Sequence, residues 1–511
     1  MQTISGVGEH KLSEEMYAES PGGLSQNSGR RKMTKALKIG VTMPAWKKDA
    51  LRQIPATEEL LQIKETVDFL KIFPRPIVTE STRAVLDMLR HKIISSGKPI
   101  ASPDIVPPKD VLISQISKII HLRMRPEFRK VINATGVVLH TGLGRAVLAP
   151  QVLESFSRHL KGYTLLAADS KTGKRKDRDK IIEGLLCEIT GAEAATVVNN
   201  NAAATILILN TIARGKEVIC SRGQMVEIGG SFRIPEIMET SGARLVSIGA
   251  TNRTHLKDYE KAIRPETGAL LRVHNSNFRI VGFTSEVPIK ELVKLGRRHK
   301  LPVIDDLGSG ALVDLNDYGF KDEPLVSESI KAGADIICFS ADKLLGGPQG
   351  GIILCKKKYL EPLRKNPLAR AFRMGKLNLI ALETTLKLFR DKETLFQSNP
   401  TLKMLTTDIK DIEARARSLK NKLEESVPDL ELTVIDEYSQ PGSGSLAGYD
   451  IPTKALAVRS KTISPQKLAE KLREREIPVF TRLKENQVLL DLRTILDEEE
   501  DEIVKAFKEI L

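Results

Sequence analysis

Between about Val131 and Pro400 the chain alternates short runs of apolar and β-branched residues with longer stretches whose apolar positions recur at helical spacing. Residues 196–198, 217–220, 244–248, 270–273, 302–304, 336–339 and 351–354 read as strands, and 202–213, 230–241 and 289–299 as helices between them. Several of the strand runs are apolar throughout instead of alternating, as a sheet covered on both faces requires. The pattern therefore predicts the α/β class, a largely parallel sheet with helices on either side. Before it, amphipathic segments at 57–71 and 81–94, separated by proline turns at 74–76 and 103–108, predict a small helical domain over 48–130. After about Leu402, helices at 408–426, 465–475 and 499–510 and strands at 431–435, 455–457 and 488–492 predict a small α+β domain over 401–511. Residues 1–47, rich in Gly, Ser and charge, read as a disordered leader.

A length of 511 residues fits this division, because single cores stop growing well below that size. No apolar run approaches the ~20 residues needed to cross a bilayer. No basic start leads into an apolar run and a cleavage site, so a cytoplasmic location is expected, with no membrane partner. The four cysteines, Cys187, Cys220, Cys338 and Cys355, are scattered without a CxxC pair, so neither a metal site nor redox chemistry is expected. The net charge of +14 is concentrated: residues 31–130 hold 20 Lys and Arg against 10 Asp and Glu. Such a stretch suits a phosphate backbone, and equally a solvated basic helical face.

The strongest chemical signal is Phe339-Ser340-Ala341-Asp342-Lys343-Leu344-Leu345-Gly346-Gly347. A buried strand running into Ser-x-x-Lys and a glycine turn offers an amine whose burial frees its neutral form for a Schiff base with an aldehyde cofactor, with Ser340 placed to donate to that cofactor's phosphate. Upstream, Val303-Ile304-Asp305-Asp306-Leu307-Gly308 ends a strand in carboxylates, and pyridoxal 5'-phosphate (PLP) needs one carboxylate to keep its ring nitrogen protonated. Asp306 is the candidate and Asp305 its neighbour; a structural cap is the plainer reading of either. Further upstream, Asn199-Asn200-Asn201-Ala202 opens a small-residue helix whose free N–H groups make an anion cup at Asn200, Asn201 and Ala202, unless the asparagines only cap the helix. Cup, then carboxylate, then lysine is the chain order of the aspartate-aminotransferase-like (fold type I) PLP-dependent transferase large domain.

The segment Asn133-Ala134-Thr135-Gly136 within 129–145 resembles the opening of the bacterial selenocysteine synthase (L-seryl-tRNA(Sec) selenium transferase) family. So do residues 199–204, Ser221-Arg222-Gly223, Thr251-Asn252-Arg253-Thr254, 306–310, 340–350 and Leu489-Leu490-Asp491-Leu492-Arg493-Thr494. The resemblance runs from about Leu51 to the end. It implies a homodecamer that grips tRNA(Sec) through its N-terminal domain, eliminates the seryl hydroxyl to an aminoacrylyl intermediate, and adds selenium from selenophosphate, with no role for DNA. It implies that Arg145, Arg370 and Arg373 form the donor pocket and that Asp342 serves as general acid. The sequence departs from the family at Ala167-Ala168, at Lys176 in a Gly-x-Arg-Gly-x-Arg pattern whose Arg175 and Arg178 survive, at Ala250 and at Asn275. A PLP lyase or ammonia-lyase acting on a small amino acid or amino sugar without tRNA is the alternative reading, and the helical domain together with Arg370 and Arg373 argues for the tRNA-dependent one.

Overall fold

The computed structural model describes residues 43–97, 106–230, 232–321 and 323–511. The leader up to residue 42, and residues 103–105 of the second proline turn, lie outside the described residues. The chain forms two compact units, divided between Arg129 and Lys130.

In the first unit, helices Arg75–Ser95 and Lys109–Met124 pack through residues four apart on one face of each, including Val78, Val85, Leu86 and Leu89 against Leu112, Ile116 and Ile120, all buried. Pro76 stands in the first turn of its helix, where a missing N–H costs nothing, so the expected proline turn is a helix start. The single helix expected at 57–71 is two, Thr57–Leu61 and Lys64–Ile72. Ile63 between them is extended at ψ 140°, which re-phases the helix so that Leu60, Leu61 and Thr66 are all buried. Ala45 to Lys47, read as leader, begin the helix Ala45–Arg52.

The second unit holds two large sheets. In chain order its strands are β1 (Ile132–Ala134), β2 (Ala194–Val198), β3 (Glu217–Ser221), β4 (Glu227–Ile228), β5 (Phe232–Arg233), β6 (Arg244–Ile248), β7 (Thr267–Val273), β8 (Val303–Gly308), β9 (Ile336–Ser340), β10 (Gly351–Cys355), β11 (Leu430–Ser439), β12 (Ile451–Ser460), β13 (Val479–Lys484) and β14 (Gln487–Asp491). Seven form a sheet of order β2-β10-β9-β8-β7-β3-β6, parallel except for β10. Successive side chains of a strand face opposite ways, and both faces here are buried. Ile337 and Phe339 of β9 and Ile352 and Leu354 of β10 join one core, while Ile336, Cys338, Ile353 and Cys355 join the other. This two-sided burial is why those strands read as unbroken apolar runs. The helix expected from Gly230 starts at Ile234 instead. Gly229 and Gly230, both left-handed, turn the chain between β4 and β5, and Pro235 then sits in the helix's first turn.

The other sheet has the order β1-β13-β14-β12-β11. Its first strand comes from the segment that opens the α/β region in the sequence reading: β1 runs parallel to β13, Ile132 opposite Val479. Asp491, fully buried, ties this sheet together. It accepts from Ser439 Oγ at 2.8 Å, Thr453 Oγ1 at 3.0 Å, Arg482 Nη2 at 3.1 Å and the Arg493 N–H at 3.1 Å. Gly136, at φ +75°, lies so close that a Cβ there would stand 2.0 Å from Asp491 Oδ2. Removing a buried acceptor strands its donors, so Asp491→Ala is expected to cost this unit about 3 kcal/mol. Denaturant unfolding checks this, and an unchanged midpoint would show that the four donors find other partners.

Candidate active site

Strand register sets the site. Gly351 pairs with both Ser340 and Val198, so the end of β9 and the turn after β2 stand level at the carboxyl edge of the seven-stranded sheet, where ligands of such sheets gather.

Lys343 lies three residues beyond β9 in a loop closed by backbone bonds from Ala341 N–H to Gly350 O (2.8 Å), Gly346 N–H to the Lys343 carbonyl (2.9 Å) and Gly347 N–H to Ala341 O (2.8 Å). Gly346, at φ +73°, leaves no room for a side chain, because Asn399 Oδ1 is 2.4 Å from where its Cβ would be. Lys343 is 4% exposed, and its amine donates to the Gly444 carbonyl at 3.1 Å. Burial, and after it the nearby Arg145 guanidinium, push its pKa below the ordinary lysine range, against the opposing pull of Asp342, Asp306 and Glu323. The neutral amine that nucleophilic chemistry needs is thereby favoured.

The two strand-end carboxylates separate. Asp305 faces Arg272 Nη1 (3.1 Å) and Ser329 Oγ (2.6 Å), an ion pair on the far side of the strand. Asp306 takes Asn201 Nδ2 (2.9 Å) and the Gly308 N–H (3.1 Å) on one oxygen and Thr205 Oγ1 (3.0 Å) on the other. Burial raises its pKa, and these donors together with the Lys343 charge pull it back.

At the anion cup, Asn200 caps the helix Asn201–Ala213 by accepting from the Ala203 N–H at 2.8 Å. Asn201 reaches the carboxylate of Asp306, and its own Oδ1 is buried with no partner. Ala202 follows in the first helical turn, and Ser340 is buried across from Gly351. A Cβ on Gly351 would strike the Asn200 carbonyl at 2.2 Å, so glycine is what lets β10 approach the cup.

The three arginines do not gather into one contact. Gly144 and Arg145, both left-handed, aim Arg145 at Asp342, with Nη1 2.7 Å from Oδ2. Arg370 and Arg373 flank Phe372, whose carbonyl accepts from the Asn199 N–H at 2.8 Å, which brings that segment beside the cup. Their company is Arg178 and Arg175. Burial and the charges of Arg373, Arg175 and Arg370, in that order, hold Arg178 below the ordinary arginine range. The sequence reading noted Arg178 as retained without assigning it to a pocket. Glu323 went unnoticed, since no motif surrounds it; it accepts from Ser309 Oγ and lies 3.8 Å from His274 Nε2. Among the described residues no cluster of His, Cys, Asp and Glu could hold a metal ion, and no helix is long and apolar enough to cross a membrane.

Strand order, strand-end lysine, buried carboxylate and helix-start cup together define the class: the large domain of an aspartate-aminotransferase-like, fold type I enzyme. The chain belongs to the L-seryl-tRNA selenium transferase family, whose family model matches residues 131–496, and a second model, selenocysteine synthase N terminal, matches residues 51–90. It is 45% identical over 458 residues to an L-seryl-tRNA(Sec) selenium transferase of Alkaliphilus oremlandii (strain OhILAs), covering 90% of this chain and 98% of that one. It is also 45% identical over 466 residues to the protein of that name from Clostridium botulinum (strain Okra / Type B1), covering 91% and 99%. Among solved structures, a D-glucosaminate-6-phosphate ammonia-lyase superposes with a TM-score of 0.52 at 22% identity, over 76% of this chain and 97% of that one, a likeness of fold.

Arg145 depresses the Lys343 pKa directly and also neutralises Asp342, which would raise it. Arg145→Ala is therefore expected to move the pH midpoint of Lys343 reaction with an amine-directed reagent upward. A midpoint that stayed put or fell would remove Arg145 from the control of this amine.

Proposed function

We propose that this chain is the selenium transferase of its family, converting a seryl group esterified to tRNA(Sec) into a selenocysteinyl group with PLP as cofactor and selenophosphate as donor. The single observation that carries the reading is the buried Lys343 amine near the Asp306 carboxylate, which Asn201 of the cup contacts, within a family whose relatives bear that activity in their names.

The residues fit PLP. A carboxylate has about four acceptor sites, and three donors reach Asp306, which leaves a lone pair for the ring nitrogen. The start of the helix Asn201–Ala213 offers backbone N–H groups to a phosphate, and Gly351 keeps that cup open. Bound there, PLP supplies an electrophilic aldehyde and a ring that draws electrons from the amino acid's α-carbon. Lys343 would anchor the cofactor and, with its amine free, would be the base that takes the α-proton. Asp306 would keep the ring nitrogen protonated. Asp342, which accepts from Arg145 Nη1 at 2.7 Å, would in its protonated form pass a proton to the departing hydroxyl. The selenium donor is an oxyanion, and Arg370 and Arg373 with Arg175 and Arg178 offer it planar guanidinium forks beside the cup.

The first unit, through residue 129, is assigned to tRNA binding on its basic charge and its family match at 51–90. The domain bounds of the sequence reading stand here as assignments of role, and a homodecamer is the assembly the family resemblance implies.

Purified protein given seryl-tRNA(Sec) and selenophosphate is expected to yield selenocysteinyl-tRNA(Sec), and none of the corresponding product from free serine. Turnover of free serine or an amino sugar alone would favour a tRNA-independent lyase. Lys343→Ala is expected to abolish the cofactor linkage that borohydride fixes, and a surviving linkage would mean a different anchor. Arg370→Ala and Arg373→Ala are expected to block selenium addition more than hydroxyl loss, whereas equal loss of both steps would contradict their role.

A further inference from the structure

Resting on that reading, the fold also determines which way the cofactor ring must face. In PLP the ring nitrogen lies opposite the aldehyde-bearing carbon, and the phosphate arm and the ring oxygen flank that carbon on opposite sides. Asp306 on β8 and Lys343 after β9 define the axis from nitrogen to aldehyde. The cup lies to the β10 and β2 side of that axis, so the ring oxygen is turned toward β7 on the other side.

Residues 274–277 follow β7 there. Asn275 Nδ2 donates to the Gly223 carbonyl at 2.9 Å, and its Oδ1, buried without a partner, can only accept; Asn277 Nδ2 donates to the Glu227 carbonyl at 2.7 Å, and His274 stands near Glu323. Ser276 is different. It is 1% exposed, and its Oγ is buried with no partner. That hydroxyl is 3.1 Å from where a Cβ on Gly308 would sit, beside the N–H that holds Asp306. It is 3.7 Å from the Cβ position of Gly444, a point that Lys343 Nζ approaches to 3.6 Å. Ser276 Oγ thus borders both the carboxylate end and the amine end of the cofactor's place. A buried hydroxyl without a partner is costly, and here a ligand oxygen relieves the cost.

We infer that Ser276 Oγ donates a hydrogen bond to the cofactor's ring oxygen. The bond stabilises negative charge on that oxygen and so weakens its hold on the proton it shares with the Lys343 linkage. Ser276 thereby lowers the pH at which the linkage loses its proton, keeping it ready for exchange with the seryl amine.

The test uses the full chain as wild type, Ser276→Ala and Ser276→Cys, each reconstituted with PLP and with the analogue whose ring oxygen is methylated. Spectrophotometric titration of the visible band follows the proton of the Lys343 linkage. Loss of one hydrogen bond is expected to raise its midpoint by about one unit in Ser276→Ala. Ser276→Cys, nearly isosteric with a weak donor, is expected to raise it by less, and serves where alanine leaves the protein unfolded. PLP affinity is expected to fall by about 5- to 10-fold in Ser276→Ala, and the methylated analogue, which can no longer carry the charge, to lose almost nothing. An unchanged midpoint, or an equal loss of affinity for both compounds, would overturn the inference. A wild-type protein that formed no visible band with PLP would overturn the cofactor reading itself.

Discussion

The burial of the Asp306 carboxylate is the constraint on which the site depends. An ionised carboxylate removed from water costs several kcal/mol unless donors replace its hydration. Here the donors come from the helix Asn201–Ala213, through Asn201 and Thr205, and from the backbone of Gly308. Satisfying the carboxylate therefore positions the start of that helix, and with it the N–H groups of the anion cup. One electrostatic requirement fixes two of the three points at which a PLP ring would be held. The third, Lys343, is fixed by the closed glycine loop after β9, and its charge in turn helps Asp306 remain ionised.

The arginines follow the same logic with the sign reversed. Arg145, partly exposed, pairs with Asp342 at 2.7 Å, and the Lys343 amine is depressed first by burial and then by the Arg145 charge. Arg178 is lowered first by burial and then by the charges of Arg373, Arg175 and Arg370, which lie near it.

Much of the fold was legible because the seven-stranded sheet is buried on both faces. Ile336 to Phe339 and Gly351 to Leu354 have no polar alternation to confuse with a helix, and their loops carry the residue types that strand-end chemistry demands. The choice of Asp306 over Asp305 was open in sequence, since adjacent residues differ only in the face they take, and Arg272 and Ser329 are far away along the chain. The break at Ile63 was illegible for a related reason: the spacing of Leu60, Leu61 and Val67 suits one continuous helix, and only the packing against Val85 and its neighbours favours re-phasing. The bond from the Asn201 side chain to Asp306 was illegible because capping asparagines and carboxylate-binding asparagines look alike until the opposing strand is in place. β1 and β13 escaped for want of length and of burial, β1 having three residues and β13 an outer half that is largely exposed.

The five-stranded sheet, which the sequence set apart as a small separate domain, is part of the site. The segment leaving β1 and the segment leaving β11 run side by side, with Val138 N–H on the Gln440 carbonyl and Leu139 N–H on that of Pro441. Each then delivers one group to Lys343: the first carries Arg145 to Asp342, and the second carries the Gly444 carbonyl to the amine. The left-handed backbone at Gly442, Ser443 and Gly444 makes the second delivery possible, since that loop must turn within three residues to present a carbonyl inward. Both segments spring from the strands that Asp491 ties together, with Gly136 pressed against its carboxylate. A buried carboxylate thus organises each sheet, Asp306 holding the start of the helix Asn201–Ala213 and Asp491 holding the arms that close on the lysine.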